Sequence, residues 1–160
     1  MKYRYLTDQE LQILEKDFVQ FLVANGIDND EWVRVNEESK EKALEIVGLF
    51  SDVVIEKAIE NIKYLEYRSA KSLKIFHCKD EEISLIGLDI DENSTLDFTE
   101  ANSAEKAINE GTDAIKTYKT KKAYHPSRTE ELFKMMDAGC YIVDGKFYNT
   151  LNHLRKVYQN

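Results

Sequence analysis

The segment from Tyr124 to Tyr148 constrains the fold most, because several local signals agree within it. Pro126, the single proline of the chain, disfavours helix at the residue before it. Ser127 followed by Glu130 forms a capping box, in which each side chain accepts a hydrogen bond from the main-chain N–H of the other residue. Gly139 suits the left-handed conformation that ends many helices. The segment therefore predicts a helix that begins after Ser127 and ends before Gly139.

Two short stretches with strand character follow this helix and flank a turn signal. Tyr141–Val143 and Lys146–Tyr148 lie on either side of Asp144-Gly145, and both turn residues tolerate the positive φ of a tight hairpin. Helical spacing of apolar residues then predicts a short terminal helix that contains Leu151, Leu154, Val157 and Tyr158. Residues 125–160 are therefore predicted to form a helix, a hairpin and a second helix.

Residues 1–62 carry the apolar period that is typical of helices. Thr7 and Glu10 form a second capping box, and Gly26 is placed to end the helical pattern that follows them. A longer apolar pattern begins at Ser39 and reaches Ile62, with Gly48 and Ser51-Asp52 as candidate bends or breaks. We expect this part of the chain to be mainly helical.

The apolar period changes after Ile62. Three short stretches are rich in β-branched and aromatic residues and are separated by polar turns: Tyr64–Arg68, Leu73–Lys79 and Ile83–Ile90. Ala114–Tyr124 predicts a further strand, Leu96–Phe98 a short one, and Ser103–Asn109 a brief helix closed by Gly111. Residues 63–124 are therefore predicted to be mainly strands.

Helices that are segregated from meandering strands indicate an α+β fold. We expect an N-terminal helical layer packed on an antiparallel sheet, followed by a C-terminal helix, a short hairpin and a terminal helix. No repeat or linker divides the sequence, so residues 1–160 are predicted to form one domain. A chain of this size buries roughly 70% of its unfolded surface, so its core needs no disulfide or structural metal.

The net charge of the chain disfavours some classes of binding partner. The chain carries 30 acidic and 22 basic residues, for a net charge of −8, which disfavours non-specific binding to nucleic acid or to anionic membranes. No apolar run approaches the ~20 residues that cross a bilayer. Two cysteines and no export signal predict reduced thiols. We expect a cytoplasmic protein without a cofactor, and the sequence leaves its oligomeric state open.

The sharpest match to a ligand-binding motif lies between Asp89 and Glu100. Six residues fall on the ligand positions of an EF-hand calcium loop: Asp89, Asp91, Asn93, Thr95, Asp97 and Glu100. Ser94 stands where that loop needs glycine, and the preceding residues are predicted to form a strand where an EF-hand needs a helix. Calcium binding is therefore an alternative hypothesis, and a solvated acidic connection is the simpler interpretation.

Two imidazoles and two thiols, those of His77, Cys78, His125 and Cys140, are the right ligand types for tetrahedral zinc. Their spacing lacks the close ligand pairs of structural zinc sites. A thiol enzyme would use Cys140 as nucleophile, His125 or His77 as base and Asp144 to orient the base. Cys140 follows a predicted helix C-terminus, where the helix dipole raises the pKa of a thiol. We therefore predict no catalytic residues.

The segment from Lys116 to Arg128 reverses the local charge, because it contains five basic residues and no acidic one. We define the basic strip as Lys116, Tyr118, Lys119, Lys121, Lys122, Tyr124 and Arg128. Basic residues interleaved with aromatic ones suit phosphate pairing and base stacking in single-stranded nucleic acid. Lysines also protect exposed edge strands from pairing with other sheets. A third interpretation is contact with an acidic partner.

Several motifs together resemble an uncharacterised family of small bacterial proteins, a domain of unknown function. They are Met1–Arg4 with Leu6-Thr7, Phe21-Leu22 through Asn25–Ile27, Tyr124–Arg128, Glu131–Met136 and Gly139-Cys140. The resemblance covers nearly the whole chain, which implies one domain and a cytoplasmic bacterial origin. It implies no activity.

The sequence therefore predicts a non-catalytic binding or adaptor protein, whose basic strip contacts an acidic partner, most simply a protein. Two alternatives stay open: binding of single-stranded nucleic acid by the same strip, and binding of calcium by the Asp89–Glu100 loop. No membrane contact is expected.

Overall fold

The three-dimensional structure, a computed structural model, describes residues 1–158 and the side chains of residues 1–155. The chain forms two compact units, Met1–Glu60 and Asn61–Asn160. The expectation of one domain over residues 1–160 stays a prediction, and its last two residues lie outside the described part. Among the described helices, none is long and apolar enough to cross a membrane.

Four helices build the first unit: α1 (Asp8–Ile13), α2 (Glu15–Ala24), α3 (Asn29–Glu38) and α4 (Lys40–Glu60). The capping box predicted before α1 is confirmed, because Oγ1 of Thr7 accepts from N of Glu10 at 3.2 Å and Oε2 of Glu10 accepts from N of Thr7 at 2.7 Å. Gly26 follows α2 with a φ of +76°, as its predicted role requires.

The long helix α4 continues through both candidate bends or breaks. A side chain on Gly48 would come within 3.3 Å of the Tyr5 ring, so the glycine serves close packing in place of a kink. Oγ of buried Ser51 donates to O of Val47 and accepts from N of Leu6. Phe50, on the same helix, packs against the Phe18 ring of α2 at a centroid distance of 5.0 Å.

The second unit is built on a five-stranded antiparallel sheet. Its strands are β1 (Tyr64–Arg68), β2 (Ser72–Cys78), β3 (Glu82–Ile90), β4 (Ile115–Ala123) and β5 (Tyr141–Ile142). Their spatial order is β4-β3-β2-β1-β5. The predicted meander of the first three strands is confirmed, and so is the α+β class.

Three helices accompany the sheet: α5 (Ser103–Glu110), α6 (Arg128–Asp137) and α7 (Lys146–Tyr158). Gly111 closes α5 at a φ of +69°, and Ser127 caps α6 by accepting from N of Glu130, as predicted. The side chains of Val157 and Tyr158, part of the pattern that predicted the terminal helix, lie outside the described side chains.

Alternating residues give the sheet two different faces, because paired residues on neighbouring strands point to the same side. One face carries the main core of the unit, to which the sheet, α5 and α7 contribute: Leu73, Ile75, Ile86, Leu88, Ile90, Phe98, Ala104, Tyr148 and Leu151. The opposite face meets α6, where Lys122 of β4 pairs with Glu131. We call these the core face and the α6 face.

The predicted strand at Leu96–Phe98 is wrong. Within the described residues, this segment joins no strand ladder, and N of Phe98 donates to O of Ala70 at 3.0 Å. Phe98 is completely buried in the core. The buried Phe98 side chain and isolated hydrogen bonds, and not strand pairing, therefore hold this segment.

The predicted hairpin after α6 is also wrong. β5 pairs with β1, with Leu65 opposite Ile142 and Glu66 opposite Tyr141. The residues that should have formed the second hairpin strand belong to α7, which begins at Lys146.

Burial explains this difference. Tyr148 and Leu151 are 3% and 2% exposed and lie three residues apart, a spacing that puts both on one side of a helix. Asp144 and Gly145 still form a turn, because Oδ1 of Asp144 accepts from N of Lys146 at 2.9 Å and Gly145 has a φ of +80°. The turn leads into a helix because that arrangement buries both side chains.

Candidate functional site

The basic strip lies mainly on β4, which is an edge strand of the sheet. β4 pairs with β3 on one side, and seven of its nine residues are exposed. Exposed edge strands offer unpaired main-chain N–H and C=O groups to another chain, and lysines on such a strand discourage self-association. The position is thus compatible both with protection of the edge and with recognition of a partner.

The strip does not form one continuous surface. Tyr118 and Lys122 lie on the α6 face, whereas Lys119 and Lys121 lie on the core face, because successive residues of a strand point to opposite sides. Lys116 shares the α6 face and stands opposite Asp89 in the register of β3 and β4. The charges are therefore distributed on both sides of the edge.

Polar groups of the protein itself contact several of these lysines. Nζ of Lys119 donates to Oδ1 of Asn152 at 2.6 Å, and Nζ of Lys121 lies 3.4 Å from Oε2 of Glu82. Lys122 pairs with Glu131, whose side chain is only 11% exposed. Lys122 therefore links β4 to α6.

Glu131 joins β4, α6 and the segment between them. Burial raises its pKa, but the hydrogen bonds from Lys122 and from the main chain of His125 outweigh burial and lower the pKa overall. Oε2 of Glu131 accepts from N of His125 at 2.9 Å. This carboxylate thus stabilises the connection that contains the cis peptide bond between His125 and Pro126.

Arg128 and Tyr124 form hydrogen bonds with the main chain of the protein itself. Nη2 of Arg128 donates to O of Ile62 at 2.5 Å and to O of Cys78 at 3.2 Å, and Nε donates to O of Lys79 at 3.1 Å. The hydroxyl of Tyr124 donates to the same carbonyl of Lys79 at 2.7 Å. These two members of the basic strip bind main-chain carbonyls around the start of β1 and the end of β2.

The acidic segment Asp89–Glu100 is held by internal hydrogen bonds and by a lysine. Oδ1 of Asp91 accepts from N of Asn93, and Oδ1 of Asp97 accepts from N of Thr99. Nζ of Lys71 donates to the carbonyls of Ser94 at 2.6 Å and Leu96 at 3.0 Å. In this structure, an ammonium group therefore contacts two main-chain oxygens of the predicted calcium loop.

The imidazoles and thiols do not assemble into a site. Among the described residues, no group of three or more His, Cys, Asp or Glu side chains is placed to hold a metal ion. His77 lies on the core face and stacks on Tyr64 at a centroid distance of 4.6 Å. Cys140 lines a groove with Lys74 and Phe76, on the α6 face. His77 and Cys140 therefore lie on opposite faces of the sheet, so the structure does not place them as the base and nucleophile of the thiol-enzyme alternative.

Both thiols are poor nucleophiles in this fold. Burial raises the pKa of Cys78 to about 11 and also raises the pKa of Cys140, although Lys74 acts in the opposite direction on the second thiol. The direction for Cys140 agrees with the prediction, and burial is the largest cause of the raised pKa.

A larger groove, of about 750 Å³, lies beside β1 and β5. Its polar groups include Glu66, Arg68, Glu105 and Tyr141, which define what we call the polar groove. Arg68 Nε donates to Oε1 of Glu66, and Nη2 donates to Oε1 of Glu105 at 3.0 Å. The Tyr141 hydroxyl donates to Oε1 of Glu66 at 2.6 Å, so one carboxylate oxygen joins two strands.

The polar groove was not predicted from the sequence. Glu66 and Arg68 are two residues apart on a strand, which places both on one face. That spacing is a weak signal for a charged pair, because alternation of this kind usually marks a solvent-exposed face. Here Glu66 is 4% exposed. Burial and then the hydrogen bond to Glu66 raise the pKa of Tyr141 to about 12, so its hydroxyl remains protonated.

Comparisons with known proteins identify a family but no activity. No curated protein and no solved structure matches the chain. A family of unknown function, DUF6495, matches residues 1–156, which is nearly the entire sequence and includes all the motifs of the resemblance. The chain therefore belongs to the DUF6495 family of unknown function.

Proposed function

We propose that this protein is a non-catalytic binding protein, and that the exposed edge strand β4 pairs with an acidic, extended segment of a partner protein. The observation that carries the proposal is the combination of an edge strand with seven exposed residues and four lysines along that strand. In strand addition, main-chain hydrogen bonds supply affinity and alternating side chains supply specificity.

The contacts that the β4 lysines make within the protein are weak enough for a partner to replace them. The ion pair between Lys121 and Glu82 spans 3.4 Å, and its side chains are 72% and 34% exposed. Solvent screens an exposed pair of this kind, so a partner carboxylate can replace Glu82 at little cost. Lys119 donates to the neutral amide of Asn152, which a carboxylate acceptor can also replace.

Charge reversal on the edge strand tests this proposal. The probe is an acidic peptide of the length of β4 that alternates glutamate with threonine. We expect the double variant Lys119→Glu/Lys121→Glu to weaken binding about tenfold or more, which corresponds to about 1.4 kcal/mol. The double variant Lys16→Glu/Lys42→Glu is the matched control, because it makes the same charge change at two exposed lysines of α2 and α4.

Strand pairing itself is tested on the side of the peptide. N-methylation of alternate residues removes the donors that face β4 in one register and spares them in the other. We expect one methylated peptide to lose binding and the other to keep it, and amide hydrogen exchange of β4 to slow only in the bound state. Equal binding by the two methylated peptides would show that charge attraction, and not strand pairing, accounts for the affinity. No binding by the unmodified peptide would refute the proposal.

Single-stranded nucleic acid is the second candidate partner, and the aromatic side chains of the α6 face favour it. Tyr67, Phe76 and Tyr118 occupy this face on three different strands, with Lys74 paired opposite Tyr67 in the register of β1 and β2. Aromatic side chains stack on bases of any sequence, and lysines pair with phosphates. A gel shift that weakens steeply with salt would support this alternative, and no shift at low salt would dismiss it.

We further propose that the protein acts in the bacterial cytoplasm. Its family resemblance motivates this location, and the free thiols of Cys78 and Cys140 are compatible with a reducing compartment. Fractionation of cells that carry a tagged copy tests the location. Recovery of the protein with the envelope fraction would contradict it.

A further inference from the structure

The polar groove is independent of the basic strip, and among the described residues one of its buried carboxylate oxygens receives no hydrogen bond. Both donors to Glu66, Arg68 and Tyr141, reach the same oxygen, Oε1, although the side chain is only 5% exposed. Oε2 of Glu105 is buried and receives no hydrogen bond within the described part of the chain. A buried acceptor without a donor is unfavourable. The Glu105 side chain is 34% exposed, so a rotation of its carboxylate brings this oxygen to a donor in the groove.

The groove has a negative formal charge. Four carboxylates and two cations line it, for a formal charge of −2: Glu66, Glu100, Glu105 and Asp144, with Arg68 and Lys146. Arg68 binds two of the carboxylates, and Lys146 lies 3.4 Å from Asp144. Both cations are therefore occupied by acids, whereas negative charge remains in excess.

Arg68 does not create an anion site, because three of its nitrogens already donate. Nε and Nη2 bind Glu66 and Glu105, and Nη1 lies 3.4 Å from O of Phe98. An anion that approached Arg68 would meet the two carboxylates as well. A cation would instead be attracted by the two carboxylates, and the Glu105 side chain, which is 34% exposed, is the one it would reach from the groove.

The remaining wall of the groove is partly apolar, although Thr99, Asn109 and Thr150 also line it. Its apolar part is formed by Ile75, Ile108, Val143, Phe147 and Tyr148. An apolar stem can lie along this wall while its charged end reaches the carboxylates, as the long side chains of lysine and arginine do on protein surfaces. Sites with apolar walls and a few convergent polar groups are typical of small-ligand binding.

We propose that the polar groove binds an organic cation, a primary ammonium or a guanidinium on a short apolar stem, with Glu105 as its principal acceptor. The same chemistry occurs in free amines and guanidines and in the lysine or arginine side chain of a peptide. Glu66 orients Arg68 by accepting its hydrogen bond, and the neutral hydroxyl of Tyr141 donates to the same carboxylate.

Four small probes test the chemistry on the full chain. They are n-butylamine, n-butylguanidine, n-butanol and butyrate, and binding is followed by NMR shifts of the Ile108 and Val143 methyl groups. We expect the two cations to bind in the millimolar range, and butanol and butyrate to bind at least fivefold more weakly. If butanol bound as tightly as the two cations, the groove would recognise only the apolar stem. If neither cation shifted the methyl signals, the groove would bind no organic cation. Either result would overturn the proposal.

Two variants of helix α5 connect the probe to its acceptor. Glu105→Gln removes one negative charge and preserves the side-chain shape, whereas Glu110→Gln makes the same change at an exposed residue of the same helix. We expect Glu105→Gln to weaken cation binding at least fivefold and Glu110→Gln to leave it unchanged. Glu100→Gln is the second test if Glu105→Gln unfolds, and it should weaken binding in the same direction. Equal affinities of the folded variants and the natural protein would refute the assignment.

A peptide comparison distinguishes the two sources of the cation. The probes are a blocked Gly-Arg-Gly peptide and a blocked Gly-Gln-Gly peptide. If the arginine peptide binds at least as tightly as butylguanidine, and the glutamine peptide does not bind, the site accepts a side chain of another protein. If butylguanidine binds and both peptides fail, the site accepts a free cation. Both outcomes agree with the proposal, and binding of the glutamine peptide as tightly as the arginine peptide would contradict it.

Discussion

A Cβ atom placed on Gly87 would lie 2.1 Å from Cζ of Tyr118, because the end of the tyrosine ring rests against the main chain of the glycine. The two residues are directly opposite each other in the register of β3 and β4. Tyr118, which the sequence places in the basic strip, is therefore also part of the packing of the edge strand. The Tyr118 ring can occupy this position because Gly87, on the neighbouring strand, has no side chain.

Gly87→Ala is expected to destabilise the natural protein by about 1 kcal/mol, because it displaces the Tyr118 ring. In a Tyr118→Ala background, the same substitution should be neutral or stabilising by about 0.5 kcal/mol, because alanine orders a strand at less entropic cost than glycine. Urea unfolding of the four proteins measures this coupling. An identical effect of Gly87→Ala in both backgrounds would show that the ring does not depend on the glycine.

Arg128→Met is expected to destabilise the protein by about 2–3 kcal/mol, because the carbonyls of Ile62, Cys78 and Lys79 lose a charged donor. Arg34→Met is the control, since the side chain of Arg34 is 63% exposed and lies 3.7 Å from Glu31. We expect the control to change the free energy of unfolding by less than ~0.5 kcal/mol. Similar losses in both variants would contradict the structural role of Arg128.

Lys71→Met is expected to destabilise the protein by about 1–2 kcal/mol, because the carbonyls of Ser94 and Leu96 lose their shared donor. Thermal unfolding measures the effect. Lys106→Met, at an exposed position of α5, should change stability much less. A Lys71→Met variant as stable as the natural protein would show that the acidic segment holds its shape without the ammonium group.

The same contact leads to a prediction about calcium. The melting temperature of the natural protein should be unchanged in millimolar calcium, because the ammonium group of Lys71 binds the carbonyls on either side of Thr95 and its positive charge repels a cation there. A rise in melting temperature that Asp89→Ala abolishes would contradict this prediction and would support the EF-hand hypothesis.

Stability should fall as the pH decreases below about 6.5, and His77 contributes to this fall. Burial, followed by the positive charges of Lys79 and Lys119, lowers the pKa of His77 from its ordinary value of 6.5. The unfolded chain therefore binds a proton more readily than the folded chain does, so acidification between the ordinary pKa and the lowered one favours unfolding. The rings of Tyr64 and Tyr148 lie at 4.6 Å and 5.4 Å from His77 and contribute to its burial.

His77→Gln tests this contribution, because glutamine does not titrate. Between pH 6.5 and more acidic conditions, the free energy of unfolding of the variant should decrease less than that of the natural protein. Above about pH 8, where His77 is neutral in both states, the two slopes should agree. Parallel curves across the whole range would assign the acid sensitivity to other groups.

Signals that act within a few residues predicted the elements well. Thr7 with Glu10 and Ser127 with Glu130 predicted helix starts that are confirmed, since a capping side chain reaches only the next turn. The alternation from Tyr64 to Ile90 predicted three strands for a similar reason, because a pleated strand repeats every two residues. These patterns depend little on the rest of the fold.

The Asp144-Gly145 turn shows where local prediction fails. Its residues have the conformation that the sequence indicates, yet the next segment is a helix and not a hairpin strand. Tyr148 and Leu151 of that helix are buried in the main core, and β5 pairs with β1. A turn signal specifies the direction change but not the element that follows it.

Residue types and spacing alone determined the α+β class, the capped helices, the three-stranded meander and the position of a basic strand, because each depends on neighbours along the chain. Only the tertiary structure decided that this strand is an edge, that Arg128 binds main-chain carbonyls, and that Tyr141 meets Glu66 across 75 positions of sequence. Contacts of such long separation depend on how whole elements pack, and for this reason the polar groove emerges only in three dimensions.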